Sequence, residues 1–293
     1  MNRRTGLQLL LLAALWGAVY PLITIALQEL PPVLIVFGRV LCATLLLLPL
    51  SLRRHALTSL WRHPRPIIET VLIQSTAPLL LLTYGQKYVS SGMAGILVGA
   101  QPLFVAALAH RWAPEDQTPG WRGPTGIILG FTGIVILFGV DLHGGWKALA
   151  GGILVLGAAL GYAAGSIMIH NRHRHDPSLG VATSAMLVTT LALLIPTGLT
   201  LPRTPPTPHV VTAMALLGFL CTGMTLVLFY SLITQIGPTR ASLAFYLSPA
   251  FAVLMGATFL HETFGLSSAL GLCAIIAGST LASQNSQKTR DQM

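Results

Sequence analysis

The chain is a succession of long apolar segments separated by short polar connections. A helix needs about 20 mostly apolar residues to cross a bilayer, and nine segments without a charged residue approach or exceed that length. A tenth, 30–52, is interrupted only by Arg39. Continuous apolar runs are typical of helices, whereas a membrane β-strand alternates between apolar and polar residues. The pattern therefore predicts an all-α integral membrane protein with ten transmembrane helices. The nine uncharged segments are 5–28, 70–86, 88–110, 123–140, 148–171, 177–202, 204–239, 241–261 and 263–287.

The composition excludes several other classes of protein. Of 293 residues, 53% are hydrophobic and only 9% are charged, and the mean hydropathy is +0.73. A soluble domain carries about 25% charged residues, so a water-soluble enzyme and a disordered protein are excluded. The net charge of +9 does not indicate a nucleic-acid partner, because the cations are spread among apolar runs instead of clustering on one wetted surface. We expect the lipid bilayer as the protein's surroundings.

The distribution of Lys and Arg predicts how the chain is oriented. Cytoplasmic loops of membrane proteins carry an excess of these residues. If the N-terminus is cytoplasmic, thirteen of the 17 Lys and Arg fall on the cytoplasmic side and three on the other side. We therefore expect both termini in the cytoplasm, with 285–293 forming a short cytoplasmic tail.

A stretch of the fourth predicted helix recurs 147 residues later, in the ninth. Each repeating unit contains five helices, which is an odd number, so the second unit enters the membrane from the opposite side. The sequence thus predicts two inverted five-helix repeats, a first half at 5–140 and a second half at 148–284, as alternating-access carriers often have. The matching pairs are Ala94 and Ala241, Pro102 and Pro249, Phe104 and Phe251, and Glu115 and Glu262, followed by the similarly spaced Gly126/Gly133 and Gly271/Gly278.

These features together resemble the drug/metabolite transporter superfamily, in its ten-helix EamA-type exporter branch. The resemblance rests on Trp16-Gly17, Arg39, the two Pro…Glu elements and the glycine spacings, and within the branch it is greatest to the YddG-type amino-acid exporters. It implies a central cavity between the two halves and outward movement of small metabolites across a bacterial inner membrane. We therefore expect a broadly specific secondary transporter that exports amino acids and related small metabolites by alternating access.

The same scaffold leaves alternatives open. The substrate class is either amino acids or, alternatively, sugars, nucleotide sugars or cationic drugs. Proton-driven carriers usually keep a titratable relay inside the membrane, but no Asp or Glu lies deep in a predicted helix. This favours gradient-driven export, with proton antiport as the alternative. We expect no enzymatic activity, no catalytic residue, no cofactor, no metal site, and a monomer whose partner is its small-molecule substrate.

Arg39 is the most informative single residue. It lies seven residues beyond Pro32, on the order of 10 Å along a helix that rises 1.5 Å per residue. A cation inside the membrane is costly and by default indicates function. Three roles are open: binding a substrate carboxylate through the guanidinium, holding the carbonyls of a broken neighbouring helix, or extending outward to the interface.

Aromatic, amide and hydroxyl side chains at similar depth suit a zwitterion with an apolar side chain. For each of them, hydrogen bonding between helices is the alternative role. The candidates for lining the transport pathway are Trp16, Tyr20, Arg39, Gln74, Tyr84, Gln101, Tyr162, Ser166, Tyr230 and Tyr246.

Four of the prolines that fall inside predicted helices are candidate hinges. Proline removes an intrahelical hydrogen bond and kinks the helix, which makes each position either a hinge for transport or a static bend. The four are Pro21, Pro78, Pro102 and Pro249.

Overall fold

The computed structural model describes residues 3–58, 60–112, 121–140, 145–202, 204–236 and 243–283. Within these ranges the regular structure is entirely helical, and each of the ten predicted segments corresponds to one helix. A single 3₁₀ turn, Leu60–Arg62, precedes the third helix. The helices are α1 Arg3–Ala26, α2 Pro32–Arg53, α3 Pro64–Gly85, α4 91–112, α5 Arg122–Val140, α6 Gly145–His173, α7 Ser178–Gly198, α8 208–236, α9 Leu243–Phe259 and α10 Leu266–Ser283.

The helices have the length and composition of membrane spans. Among the described residues, seven are long and apolar enough to cross a bilayer, namely α1 to α4 and α6 to α8. Shorter apolar stretches, Gly123–Leu137, Ala244–Phe259 and Leu266–Leu281, lie in α5, α9 and α10. Many other large hydrophobic side chains, such as Ile195, are exposed, as expected for a surface that faces lipid. The prediction of an all-α, multi-helix membrane protein is confirmed.

Within the described ranges, two helices contain π-helical segments. In α3, Leu72–Thr76 is π-helical, and α-helix resumes at Ala77. Pro78 accounts for this wider turn, because its ring would clash with the carbonyl of Gln74 and it has no N–H to donate. In α8 the π-helical segment is Leu216–Met224, which contains no proline.

The four prolines have different local effects. The helix α4 is interrupted at Gly99–Ala100, just before Pro102, and resumes at Gln101. In contrast, α1 and α9 continue as single α-helices through Pro21 and Pro249. Gly99 packs against the other proline of the matching pair: a Cβ at Gly99 would lie 2.8 Å from Pro249 Cγ. A hinge at any of the four stays a prediction.

Helix packing follows a recurring scheme. Three contacts join helices at matching positions of the two predicted halves: α2 with α7, α4 with α9, and α5 with α10. The other main contacts come in matching pairs, since α1 packs on α9 as α6 packs on α4, and α2 packs on α8 as α7 packs on α3.

Glycines allow the closest of these contacts. At the crossing of α5 and α10, a Cβ on Gly278 would lie 2.5 Å from Gly130 N and 2.6 Å from Gly126 O. A side chain there would meet backbone, which cannot move aside. Small residues let the backbones of membrane helices approach in this way.

Candidate functional site

Arg39 lies buried in the interior of the bundle. Only 5% of the residue is exposed, so its side chain does not extend to the membrane interface. Its Nε donates a hydrogen bond of 3.2 Å to Thr222 Oγ1 in the π-helical segment of α8. The Thr222 hydroxyl in turn donates to Leu217 O at 2.7 Å. Arg39 Nη1 is buried and has no hydrogen-bond partner among the residues that the structure describes.

Three further side chains lie within electrostatic range of the guanidinium. They are Tyr20 of α1, Tyr162 of α6 and Cys221 of α8. Tyr20 is buried and Tyr162 is partly buried against the same hydrophobic core. We refer to Arg39, Tyr20, Tyr162, Cys221 and Thr222 as the Arg39 cluster. It brings α1 and α2 of the first predicted half together with α6 and α8 of the second.

A cavity of about 430 Å³ lies at one end of the bundle. Leu30, just before α2, and Leu34 and Gly38 of α2 line one side of it. Its inner end at Gly38 is one residue from Arg39, and the lining is mostly apolar. A central cavity between the two halves stays a prediction. The remaining lining residues are Leu201, Pro202, Thr204, Pro205, Pro206, Val211 and Met214.

Trp16 belongs to an aromatic cluster apart from Arg39. Its ring stacks on Phe245 with centroids 4.4 Å apart and meets Phe229 at 5.3 Å. Phe229 and Phe245 also contact each other edge to face at 5.6 Å. These contacts join α1, α8 and α9, and they place Trp16 in apolar packing.

The predicted amide and hydroxyl candidates do not join the Arg39 cluster. Gln74 is partly buried and packs against Gly165 of α6. Ser166 donates to Ala163 O of its own helix at 2.7 Å. Gln101 is partly buried at the start of the second segment of α4.

The remaining tyrosine candidates lie near helix ends or outside the described side chains. Tyr84 is 40% exposed in the last turn of α3, which ends at Gly85. This position is typical of the interfacial aromatic belt. Tyr246 is partly buried in the first turn of α9. Tyr230 belongs to α8, and its side chain lies outside the described residues.

Sequence reasoning missed three residues that the structure places around the candidate site. Thr222 and Cys221 are ordinary small residues of an apolar segment, and nothing in the pattern distinguishes them. Gln86 was overlooked at the end of α3, although an amide beside Lys87 at a helix end is a visible signal. Its Nε2 donates to Tyr20 O at 3.1 Å, and its buried Oε1 has no partner within the described ranges.

The carboxylates of the described residues lie at helix ends. Glu262 accepts hydrogen bonds from the first amides of α4, Ser91 N at 2.7 Å and Gly92 N at 3.1 Å. Glu29 accepts 2.7 Å bonds from the amide and the hydroxyl of Thr207, just before α8. These two bonds lower the pKa of the Glu29 carboxyl below its ordinary value.

The α2–α3 and α6–α7 connections, at the other end of the bundle, lie beside charged pairs. Glu69 of α3 accepts from Arg65 at 3.0 Å and from Arg172 of α6 at 3.1 Å. Asp176 pairs with His173 at 2.9 Å. Among the described residues, no group of three or more His, Cys, Asp or Glu is placed to hold a metal ion.

In the part of the chain that the structure describes, ten apolar helices with a buried cation between them define a polytopic membrane protein. The sequence profile of the EamA-like transporter family matches residues 4–139 and, a second time, residues 149–284. The chain belongs to the EamA-like transporter family.

Individual relatives agree with this assignment. The chain is 30% identical over 284 residues to the uncharacterized inner membrane transporter YedA of Escherichia coli (strain K12), covering 89% of this chain and 85% of that protein. It is 26% identical over 187 residues to a probable amino-acid metabolite efflux pump of Salmonella typhimurium, covering 60% of this chain and 57% of that protein. A solved crystal structure superposes on 99% of each chain with a TM-score of 0.68 at 17% identity, and it therefore shares the fold.

Proposed function

We propose that this protein is a secondary transporter that exports amino acids and related small metabolites by alternating access. The observation that carries the proposal is the Arg39 cluster, a buried polar site built from helices of both predicted halves. A site at such an interface changes its exposure when the halves move relative to each other. The amino-acid class is supported by the relative named as a probable amino-acid metabolite efflux pump.

The inverted relation between the halves is part of the proposal. It is supported by the matched helix contacts and by the two π-helical segments, which lie at similar positions in α3 and α8. Thr44 and Thr190 also support it, because they lie 146 residues apart and their hydroxyls meet at 3.2 Å. Contact between matching residues is expected where a two-fold axis passes.

We propose that the protein lies in the inner membrane of the cell, with both termini in the cytoplasm. The connections α1–α2 and α7–α8, which are assigned to the outer side, meet through Glu29 and Thr207. The α2–α3 and α6–α7 connections, assigned to the inner side, lie beside the pair of Glu69 and Arg172. Each set of contacts joins connections that were assigned to one side.

Export driven by the substrate gradient is the mode of coupling that we propose. The described carboxylates are held near helix ends by hydrogen bonds or ion pairs, where they would not relay protons across the membrane. We also propose that the protein acts as a monomer.

Counterflow in proteoliposomes tests this function. We expect exchange of labelled phenylalanine, threonine or methionine above the level of protein-free liposomes, without acidification or alkalinisation of the lumen reported by an enclosed dye. Exchange of a sugar or a quaternary amine, with none of the three amino acids, would contradict the amino-acid proposal. Stoichiometric proton movement would instead establish antiport.

A further inference from the structure

The guanidinium of Arg39 is a buried cation without a counter-ion. Only 5% of the residue is exposed, and no carboxylate in the described part of the chain forms an ion pair with it. Its neighbours Tyr20, Tyr162 and Thr222 are neutral hydroxyl groups. A buried charge that is not paired costs several kcal/mol, and in membranes such charges nearly always have partners.

The carboxylates that the structure describes are already engaged elsewhere. Glu29 binds Thr207, and Glu262 binds the first amides of α4. Glu69 pairs with two arginines, and Asp176 pairs with His173. None of these four is placed to neutralise Arg39.

The bond to Thr222 fixes the guanidinium without neutralising it. The Thr222 hydroxyl donates its proton to Leu217 O, five residues earlier, and so presents a lone pair to Arg39 Nε. This geometry depends on the π-helical turn of α8, which brings a carbonyl five residues away within reach. The Nη1 group, buried and unpartnered among the described residues, remains available as a donor.

The cavity lies beside the helix that carries this donor, although Arg39 itself is not a lining residue. It extends from Leu30, just before α2, to Gly38, which precedes Arg39 in the sequence. Met214 lies across its inner end, since a Cβ on Gly38 would come 2.6 Å from Met214 Cε. Methionine is flexible and polarisable, so this side chain can move as a substrate passes. The apolar lining suits the side chain of an amino acid that follows its charged end.

We propose that Arg39 binds the carboxylate of the transported substrate, which supplies the counter-charge that the described part of the chain lacks. Nη1 donates to a carboxylate oxygen while Thr222 holds the Nε edge. The inference rests on the proposed transport function and deepens it by naming the substrate group and the residue that receives it. A substrate without an anionic group leaves Arg39 unpaired and is transported poorly.

An acid and its amide test the inference in the unaltered protein. Phenylalanine and phenylalaninamide share the ring and the ammonium group, but only phenylalanine has a carboxylate. We expect phenylalanine to compete for counterflow at least about tenfold better, the effect of one hydrogen bond between charged groups. Equal competition would overturn the carboxylate inference and leave the transport proposal intact. A failure of every amino acid to exchange would contradict the transport proposal itself.

Binding provides a readout that does not depend on transport. Phenylalanine should raise the Tm of the purified protein in detergent at concentrations where phenylalaninamide does not. If the two ligands stabilise the protein equally, or neither does, the inference is wrong whatever the result of the transport assay.

Arg39→Met separates substrate binding from a structural role, with Arg53→Met, an exposed position on the same helix, as the matched control. We expect Arg39→Met to abolish the preference for the acid and Arg53→Met to keep it. The Tm of ligand-free Arg39→Met should not fall, because the substitution removes an unpaired buried charge. A lower Tm with the acid preference retained would make Arg39 a structural tether and refute the inference. If Arg39→Met does not fold, the competition by phenylalanine relative to phenylalaninamide in the wild type still tests the inference.

Discussion

At the scale of single residues, the described carboxylates outside ion pairs cap helix starts. The first amides of a helix lack intrahelical partners, and the helix dipole favours negative charge there. Glu262, just after α9, satisfies the amides of Ser91 and Gly92, and Glu29 does the same for Thr207 before α8. Each of these two carboxylates therefore fixes one helix end to the start of another.

The Glu29 bond predicts a pH-dependent contribution to stability. Because the pKa of Glu29 is lowered in the folded protein, its contribution is present above the ordinary carboxyl pKa and is lost as the pH falls through the folded value. We expect the Tm difference between wild type and Glu29→Gln to be constant from about pH 6 to 8 and to shrink below about pH 4. The exposed neighbour Gln28, changed to Ala, should show no such dependence. A difference that grows as the pH falls would contradict the assigned bond.

At the scale of helices, the described interfaces depend on where small residues and irregular turns occur. Glycines bring α5 and α10 into backbone contact, and Gly17 does the same for α1 against Phe251 and Ala252 of α9. The π-helical segments act differently, because they redirect hydrogen bonds: in α8 this orients Thr222 towards Arg39. Packing and binding thus use separate features of the same helices.

The α5–α10 contact predicts that Gly278→Ala is destabilising. The added Cβ would overlap the backbone of Gly126 and Gly130, and overpacking of this kind typically costs about 1–3 kcal/mol. Gly198→Ala is the matched control, because a Cβ there meets nothing within 4 Å. Unfolding in detergent with added denaturant measures both variants. Equal free energies of unfolding for the two variants would contradict the close backbone contact between α5 and α10.

At the scale of the whole molecule, the candidate site is shared between the two predicted halves. Arg39 and Tyr20 come from the first half, whereas Tyr162 and Thr222 come from the second. The cavity is shared in the same way, between α2 and the start of α8. Relative movement of the halves would therefore change the guanidinium's surroundings and the access to it together, which alternating access requires.

The proposed orientation predicts which exposed positions a membrane-impermeant maleimide reaches. Trp146, at the start of α6, is assigned to the outer side, and Arg62, before α3, to the cytoplasm; both are exposed. We expect Trp146→Cys to be labelled in intact cells above the background of the parent chain. Arg62→Cys should be labelled only after permeabilisation. The reverse labelling pattern would show the opposite orientation and would contradict the proposed direction of transport.

The candidate site was only partly predictable from the sequence. Arg39, Tyr20 and Tyr162 stand out because charged and hydroxyl-bearing aromatic residues are conspicuous in apolar segments. Trp16 and Ser166 are equally conspicuous, but the structure engages them in aromatic packing and in a bond within α6. Residue type indicates that a polar group needs a partner, whereas only packing determines which partner it finds.

The sequence by itself determined the membrane environment, the ten helices and the repeated pattern of proline, glutamate and glycine. These follow from local properties, since a long apolar run in lipid must satisfy its own backbone hydrogen bonds as a helix. Only the tertiary structure decided that Arg39 is buried beside Thr222 without a carboxylate among the described residues. Those facts depend on contacts between residues as far apart as Arg39 and Thr222, 183 positions along the chain, which no local pattern encodes.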